Sequence, residues 1–379
     1  MVNTSVIHTK QTIMIMNDNI EEYLNSLSDD ITALVVSNIN LTYLPELSIF
    51  KKLEIVSCYN NQLTILPILP LNLKKLYCGN NKLTSLPELP PTFNYLYCDN
   101  NKLTSLPELP STITHLLVFI NQLTSLPKLP SILIDLSCDG NQLTVLPELP
   151  PTLINLYCSN NQLTSLPELP STIRRLSCNN NQLTSLPELH STLDYMNCHN
   201  NQLTSLPELP SSLSELYCHN NQLTSLPELP STLREIFCYN NQLTSLPELP
   251  STLREIICYN NQLTSLPELP SRLIYMNCDT NQLTSLPELP SILTVIYKNT
   301  PIYNIIDSLD VNVINRKMEI LNKFRYLFYS LKYKTRFRDL LWIRIREPKI
   351  KAYYSPNNLI ELLNGIENDD EFHNVLNNW

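Results

Sequence analysis

Apolar and polar positions recur along this chain with a period of 20 residues, twelve times over between residues 53 and 292. In the unit from Leu73 to Thr92, Leu76 and Cys78 alternate with Lys75 and Tyr77, which predicts a short strand with one apolar face. Leu73 joins that face from the preceding turn. Asn81 follows at the next turn, and Leu83, Leu86 and Leu89 return along an outer wall. Pro87 and Pro90 lack an amide donor and disfavour helix around them, so the outer wall is expected to be extended or polyproline-like. Such a unit leaves apolar edges that only a neighbouring copy can seal. The expected architecture is a solenoid that grows lengthwise, each unit packed on the next.

The constant letters serve this stacking. Asn61, Asn81, Asn101 and their equivalents through Asn281 share one phase, expected to place each amide against backbone groups of the inner turn. The cysteines occupy another phase, from Cys58 to Cys278. Free cysteine commonly acts as a small core hydrophobe, and an odd count of 11 argues against a disulfide framework. The pattern begins with a divergent unit of 22 residues that includes Ile31, Leu34, Val36, Leu41, Leu44, Pro45 and Leu47. It fades at Leu293 and Ile296, where Lys298 is read as replacing the inward cysteine and ending the stack. Residues 1–30 are expected to form a helical cap, with a helix from Asp18 to Leu27. Residues 31–298 form the solenoid of about 13 repeats, and 299–379 a basic helical region. There Ile314, Met318, Leu321, Phe324, Phe328 and Leu331 recur at helical spacing, and a second helix is expected over 335–345, closed by Pro348.

The motif Leu-x-x-Leu-x-Cys-x-x-Asn-x-Leu-x-x-Leu-Pro-x-Leu-Pro resembles the short leucine-rich repeat of secreted effectors from enteric bacteria, from Ile31 to Ile296. The resemblance implies an α/β leucine-rich-repeat solenoid: a curved parallel sheet lining a concave, partner-binding face, an extended convex side, and a small helical C-terminal segment. A second resemblance, carried by the Asn- and Ile-rich composition and by Arg346 to Ile350 and Tyr354 to Leu359, is to proteins of amoebal giant viruses. It implies a host protein as partner and the host cytoplasm as location.

Composition narrows the chemistry. Three glycines leave no Gly-rich phosphate loop, and a net charge of −9 argues against nucleic acid for the whole chain. The apolar run Ile13 to Met16 is too short for a signal-peptide core, and no stretch reaches the ~18 residues of a membrane helix. The column from Glu88 to Glu288, broken by Lys128, is expected to be a solvated outer face, because paired catalytic carboxylates need dissimilar environments. His199 and His219 adjoin Cys198 and Cys218, yet strand alternation sends them to the opposite face, so no joint metal site is expected. No cofactor, metal or catalytic group is read from the sequence.

The variable strand positions carry the candidate site: Tyr59, Tyr77, Tyr95, Tyr97, Leu117, Phe119, Tyr157, Tyr195, Tyr217, Phe237, Tyr239, Tyr259 and Tyr275. Interfaces are enriched in tyrosine, whereas cross-strand stacking alone is the competing explanation. One unit departs from the rule: Leu116 to Ile120 replaces Leu-Tyr-Cys-x-Asn, which places Leu117 and Phe119 together on the open face as a candidate hot spot. The leading expectation is a non-enzymatic module that binds a partner protein in its concave face. A ubiquitin-pathway role is the second reading, although no cysteine follows Cys278 to serve a ligase domain and residues 1–30 are short for an F-box. Binding of nucleic acid or an acidic partner by the basic C-terminal helices is the third and is disfavoured. Twelve Lys and Arg lie between Arg316 and Lys351 there, interleaved with Phe324, Tyr326, Tyr329, Tyr333 and Phe337.

Overall fold

Within each repeat, a three-residue strand buries its middle side chain and leaves its flanking ones half-exposed, as alternation requires. The computed structural model describes residues 20–333 and separates into two compact units, divided between Asn241 and Gln242. Both are built from turns of a parallel β-solenoid.

The first unit opens with α1 (Ile20–Asn25), which buries Ile20 and Leu24 as a cap. The strands that follow are β1 (Ala33–Val35), β2 (Ile55–Ser57), β3 (Lys75–Tyr77), β4 (Tyr95–Tyr97), β5 (His115–Leu117) and β6 (Asp135–Ser137). They continue with β7 (Asn155–Tyr157), β8 (Arg175–Ser177), β9 (Tyr195–Asn197), β10 (Glu215–Tyr217) and β11 (Glu235–Phe237). Each pairs in parallel with the next, in register one repeat apart, as in Lys75↔Tyr95 and Tyr77↔Tyr97. Leu73, Leu76, Cys78 and Leu83 are fully buried, whereas Leu86 and Leu89 on the outer wall are only half-buried. No helix forms on that wall in the described repeats, as Pro87 and Pro90 require.

The asparagine phase forms the expected ladder. The Asn81 side chain accepts from Leu63 N at 3.0 Å and donates to Cys58 O at 3.0 Å and Cys78 O at 3.1 Å. The asparagine one residue earlier does different work. Asn60, Asn80, Asn100 and Asn160 all adopt left-handed backbone near φ +50°, which asparagine tolerates better than most residues. Exposed side chains of this second column bond to one another, as in Asn60 to Asn38 and Asn100 to Asn80, each at 2.8 Å.

The second unit holds β12 (Glu255–Ile257), β13 (Tyr275–Asn277), β14 (Thr294–Ile296), α2 (Tyr303–Ile306) and α3 (Val311–Tyr333). Its last turn corrects the sequence reading. Strand β14 pairs Thr294 with Tyr275 and Val295 with Met276, so this repeat is one residue short. A one-residue slip exchanges inward and outward side chains. Tyr297, fully buried, therefore follows the cysteine phase, Val295 faces inward, and Lys298 is exposed. The end of the stack is sealed by α3. Ile314, Met318 and Leu321 bury along one side, and the Asn315 amide both donates to Leu289 O at 2.8 Å and accepts from Leu289 N at 2.9 Å.

Several readings lie outside the described residues: the apolar run Ile13 to Met16, the start of the first helix at Asp18, the helix over 335–345, most of the basic run, and the acidic end. Among the described residues no helix is long and apolar enough to cross a membrane.

Candidate partner-binding face

All thirteen candidate residues lie on the open side of the strands or at the turn just after them, and every one is half-buried. Most of them touch other aromatic rings and so share their burial. Tyr59, Tyr77, Tyr95, Tyr97 and Phe119 form one cluster with His115. Tyr77 meets Tyr95 at 5.4 Å, Tyr95 stacks on His115 at 5.0 Å, and Phe119 meets Tyr97 edge-on at 5.9 Å. Tyr195, Tyr217 and Phe237 form a second, with Tyr217 to Phe237 edge-on at 4.9 Å. Edge-on and offset pairs of this kind favour the ring quadrupole. Leu117 sits beside Tyr97 in register. Tyr157 stands apart, flanked in register by Ser137 and Ser177. Tyr259 and Tyr275 belong to the second unit, where Tyr275 pairs with Glu255.

Between the two clusters the face is polar. Asp139 accepts from Ser137 Oγ at 2.9 Å and from Ser159 N at 2.8 Å, and Ser159 Oγ donates to Asn179 at 2.6 Å. Acidic charge gathers on the far cluster. Glu215 and Glu235 lie opposite one another in register, an arrangement that like charge disfavours. The Tyr217 hydroxyl bridges them, donating at 3.1 and 3.0 Å. Burial and both carboxylates hold its proton firmly in place, well above the usual phenol range.

His199 and His219 do face away from the cysteines, but they are not a simple surface pair. Their rings stack at 4.2 Å, and Tyr239 stacks on the other side of His219 at 4.2 Å. His219 is 8% exposed and its Nδ1 has no hydrogen-bond partner. Burial first, and the His199 charge second, lower its pKa to about 4. A folded pKa below the unfolded value means the unfolded chain binds more protons between pH ~6.5 and ~4. Stability from His219 is therefore complete above that window and is lost as pH falls through it, by on the order of 3 kcal/mol. His219→Phe keeps a stacked ring without the titration. Urea midpoints from pH 7.5 to 4.5 should fall less steeply for this variant, and equal slopes would rule the assignment out.

Sequence reasoning singles out Ile120 only as part of the divergent unit, without its backbone conformation, and misses Asp99 and Gly79. Ile120 adopts φ 53° and is 54% exposed, a strained conformation for a β-branched side chain. The signal was legible, since Gly140 occupies the same phase one repeat later, at φ 61°. Asp99 is 5% exposed with an unpartnered Oδ1, and Gly79 is the residue that gives it room.

The chain is similar to YopM from Yersinia enterocolitica WA-314, with 38% identity and a TM-score of 0.68 over 72% of this chain and 61% of that one. It is also similar to YopM, a leucine-rich effector protein from Yersinia pestis, with 39% identity and a TM-score of 0.66 over 71% of this chain and 78% of that one. The chain belongs to the leucine-rich-repeat family. Residues 211–251 also match the family description "Leucine Rich repeats (2 copies)". No curated protein matches the chain. This leucine-rich-repeat chain thus spans 61% of the length of the first of those structures.

A third likeness bears on the cysteines. The functional domain of InlJ from Listeria monocytogenes, described as including a cysteine ladder, shares 27% identity over 75% of this chain and 65% of that one, with a TM-score of 0.62. Here all 11 cysteines are free and buried, at one repeat phase. Burial raises the thiol pKa to about 12 at Cys198, Cys238 and Cys278, so those thiols stay protonated at neutral pH. A protonated thiol is a poor nucleophile and a poor metal ligand, and these side chains act as core.

Proposed function

We propose that this chain is a non-enzymatic interaction module that captures a partner protein on the open face of its strands. The observation that carries the reading is the pair of aromatic clusters on that face, separated by a polar stretch. Half-buried aromatics that keep one side to solvent suit anchors for a partner. The repeat scaffold shared with the Yersinia effector supports the same reading, because its constant residues are consumed in folding. The thirteen strand-face residues from Tyr59 to Tyr275 are the proposed contacts, with Leu117 and Phe119, beside Tyr97 in the first cluster, as the proposed hot spot. The compositional likeness to amoebal giant-virus proteins makes an amoebal host protein the proposed partner and the host cytoplasm the proposed setting.

Ile120 sharpens the proposal. Strain of about 1–2 kcal/mol is expected for a β-branched residue in left-handed backbone. It also interrupts the outer asparagine ladder and projects an apolar side chain beside Phe119. Ile120→Asn should raise the unfolding free energy by about 1 kcal/mol while weakening capture from an amoebal lysate. Phe119→Ala should cost no more than about 1.5 kcal/mol of stability, from the lost ring pair, and weaken capture at least tenfold. Undiminished capture by both variants would overturn this centre of binding.

A further inference from the structure

The strand-face position held by Tyr59, Asp99 and Phe119 in neighbouring repeats is glycine at residue 79. A Cβ there would lie 1.8 Å from Asp99 Oδ1 and 3.1 Å from the Tyr59 ring edge. The carboxylate of Asp99 and the ring of Tyr59 thus converge on the gap that Gly79 leaves. Tyr59 reaches across it to Tyr97, with ring centroids 6.4 Å apart and planes tilted by 50°. Tyr77 adds a ring 6.2 Å from Tyr97, and Phe119 closes the far side at 5.9 Å, edge-on. The result is a carboxylate lodged over Gly79 beside rings that meet at Tyr97.

Asp99 is the anomaly. It is 95% buried, counted from an exposure of 5%, yet Oδ1 has no hydrogen-bond partner. A buried carboxylate oxygen without a donor is costly, and such atoms are normally paired. Desolvation accordingly pushes its pKa up, and a bond with its own backbone only partly offsets this.

We propose that Tyr59, Tyr97, Phe119 and Asp99 form a receptor for one basic side chain, the ammonium of lysine or the guanidinium of arginine, presented by the partner protein. The inference rests on the strand face being the partner-binding surface. The carboxylate supplies a charge-assisted acceptor in a desolvated setting. A cation seated against the open side of the tilted rings lies within the ~6 Å range at which ring faces attract it. Gly79 gives the Asp99 carboxylate its place beneath the rings, and entry of the head group asks that Tyr59 turn aside about its side-chain torsions. The overall charge of −9 favours approach of a basic segment.

The experiment uses the full chain with ring-labelled tyrosine, titrated by NMR with n-butylammonium, with methylguanidinium, and with n-butanol as the neutral probe. Saturable shifts at Tyr59 and Tyr97 are expected with at least one cation and not with n-butanol. Asp99→Asn, nearly isosteric, should weaken cation binding at least tenfold while leaving the melting temperature unchanged or higher. Tyr97→Leu keeps the charge and removes a wall, and should weaken it similarly. Flat cation titrations, equal binding of n-butanol, or undiminished binding by Asp99→Asn would each overturn the site. Phe237→Ala, outside this cluster, reports on the face independently through partner capture. If it weakens capture while cation titrations are flat, the cation site falls and the partner-binding reading stands; if both are flat, both fall.

Discussion

Asn161→Ala should lower the unfolding free energy by roughly 2–4 kcal/mol, a large part of the 5–15 kcal/mol typical of a domain. The side chain is almost fully buried and makes four hydrogen bonds. It accepts from Leu143 N at 3.0 Å and donates to Cys138 O at 3.0 Å, Cys158 O at 3.1 Å and Ser159 O at 3.1 Å. Truncation strands the Leu143 N–H at about 1–3 kcal/mol where water cannot reach and weakens three carbonyls, of which Cys138 O and Cys158 O keep the Asn141 and Asn181 amides and Ser159 O keeps Gly140 N. Asn161→Asp should be at least as costly at neutral pH, because an ionised carboxylate cannot donate and would face three carbonyl oxygens. That variant should recover part of its stability in acid as the carboxyl takes up a proton. Asn160→Gly is the control, since glycine accepts the φ of 54° at that position. Its cost should stay within about 1 kcal/mol. Urea unfolding followed by circular dichroism measures all three, and equal losses for Asn160→Gly and Asn161→Ala would refute the ladder's role.

These adjacent asparagines show where sequence reading reached and where it stopped. The buried one was legible because its phase never varies from Asn61 to Asn281, and only an inward amide demands such constancy. The exposed one looked like part of the same motif. Its role is set by backbone conformation, which a letter does not display unless a glycine stands in, as Gly140 does. The strand and core were legible for a related reason, that period-2 alternation through Leu76 and Cys78 allows a single inward face. The aromatic face was legible as a set of positions but not as two clusters. Which ring meets which depends on side-chain torsions and on gaps such as Gly79, and neither follows from spacing. Asp99 was invisible for the same reason, since a carboxylate on an open face reads as solvated until its neighbours are known to cover it.

The end of the stack offers the sharpest contrast between the two kinds of reading. By strict counting from Cys278, Lys298 falls on the inward phase, and a charge there would terminate the core. Pairing of Thr294 with Tyr275 shows that one residue has been lost, so Tyr297 takes the buried place. Its ring meets Tyr303 edge-on at 5.3 Å, and its hydroxyl donates to Ser308 O at 2.7 Å, tying the last turn to the segment between α2 and α3. Tyr297→Ala should therefore cost about 3–5 kcal/mol, the range for deleting a buried aromatic ring. Tyr297→Phe should cost about 1 kcal/mol, the worth of the hydroxyl bond. Lys298→Ala, at an exposed position, should stay within about 0.5 kcal/mol. Hydrogen exchange of the amides in β13 and β14 resolves the loss locally, because a repeat array opens from its ends when the terminal turn is weakened. If Lys298→Ala accelerates exchange there as much as Tyr297→Ala does, the shortened register is wrong. If only Tyr297→Ala does so, the stack ends on a buried aromatic ring tied to α2 and α3 rather than on a charge, and residues 303–333 are part of the seal.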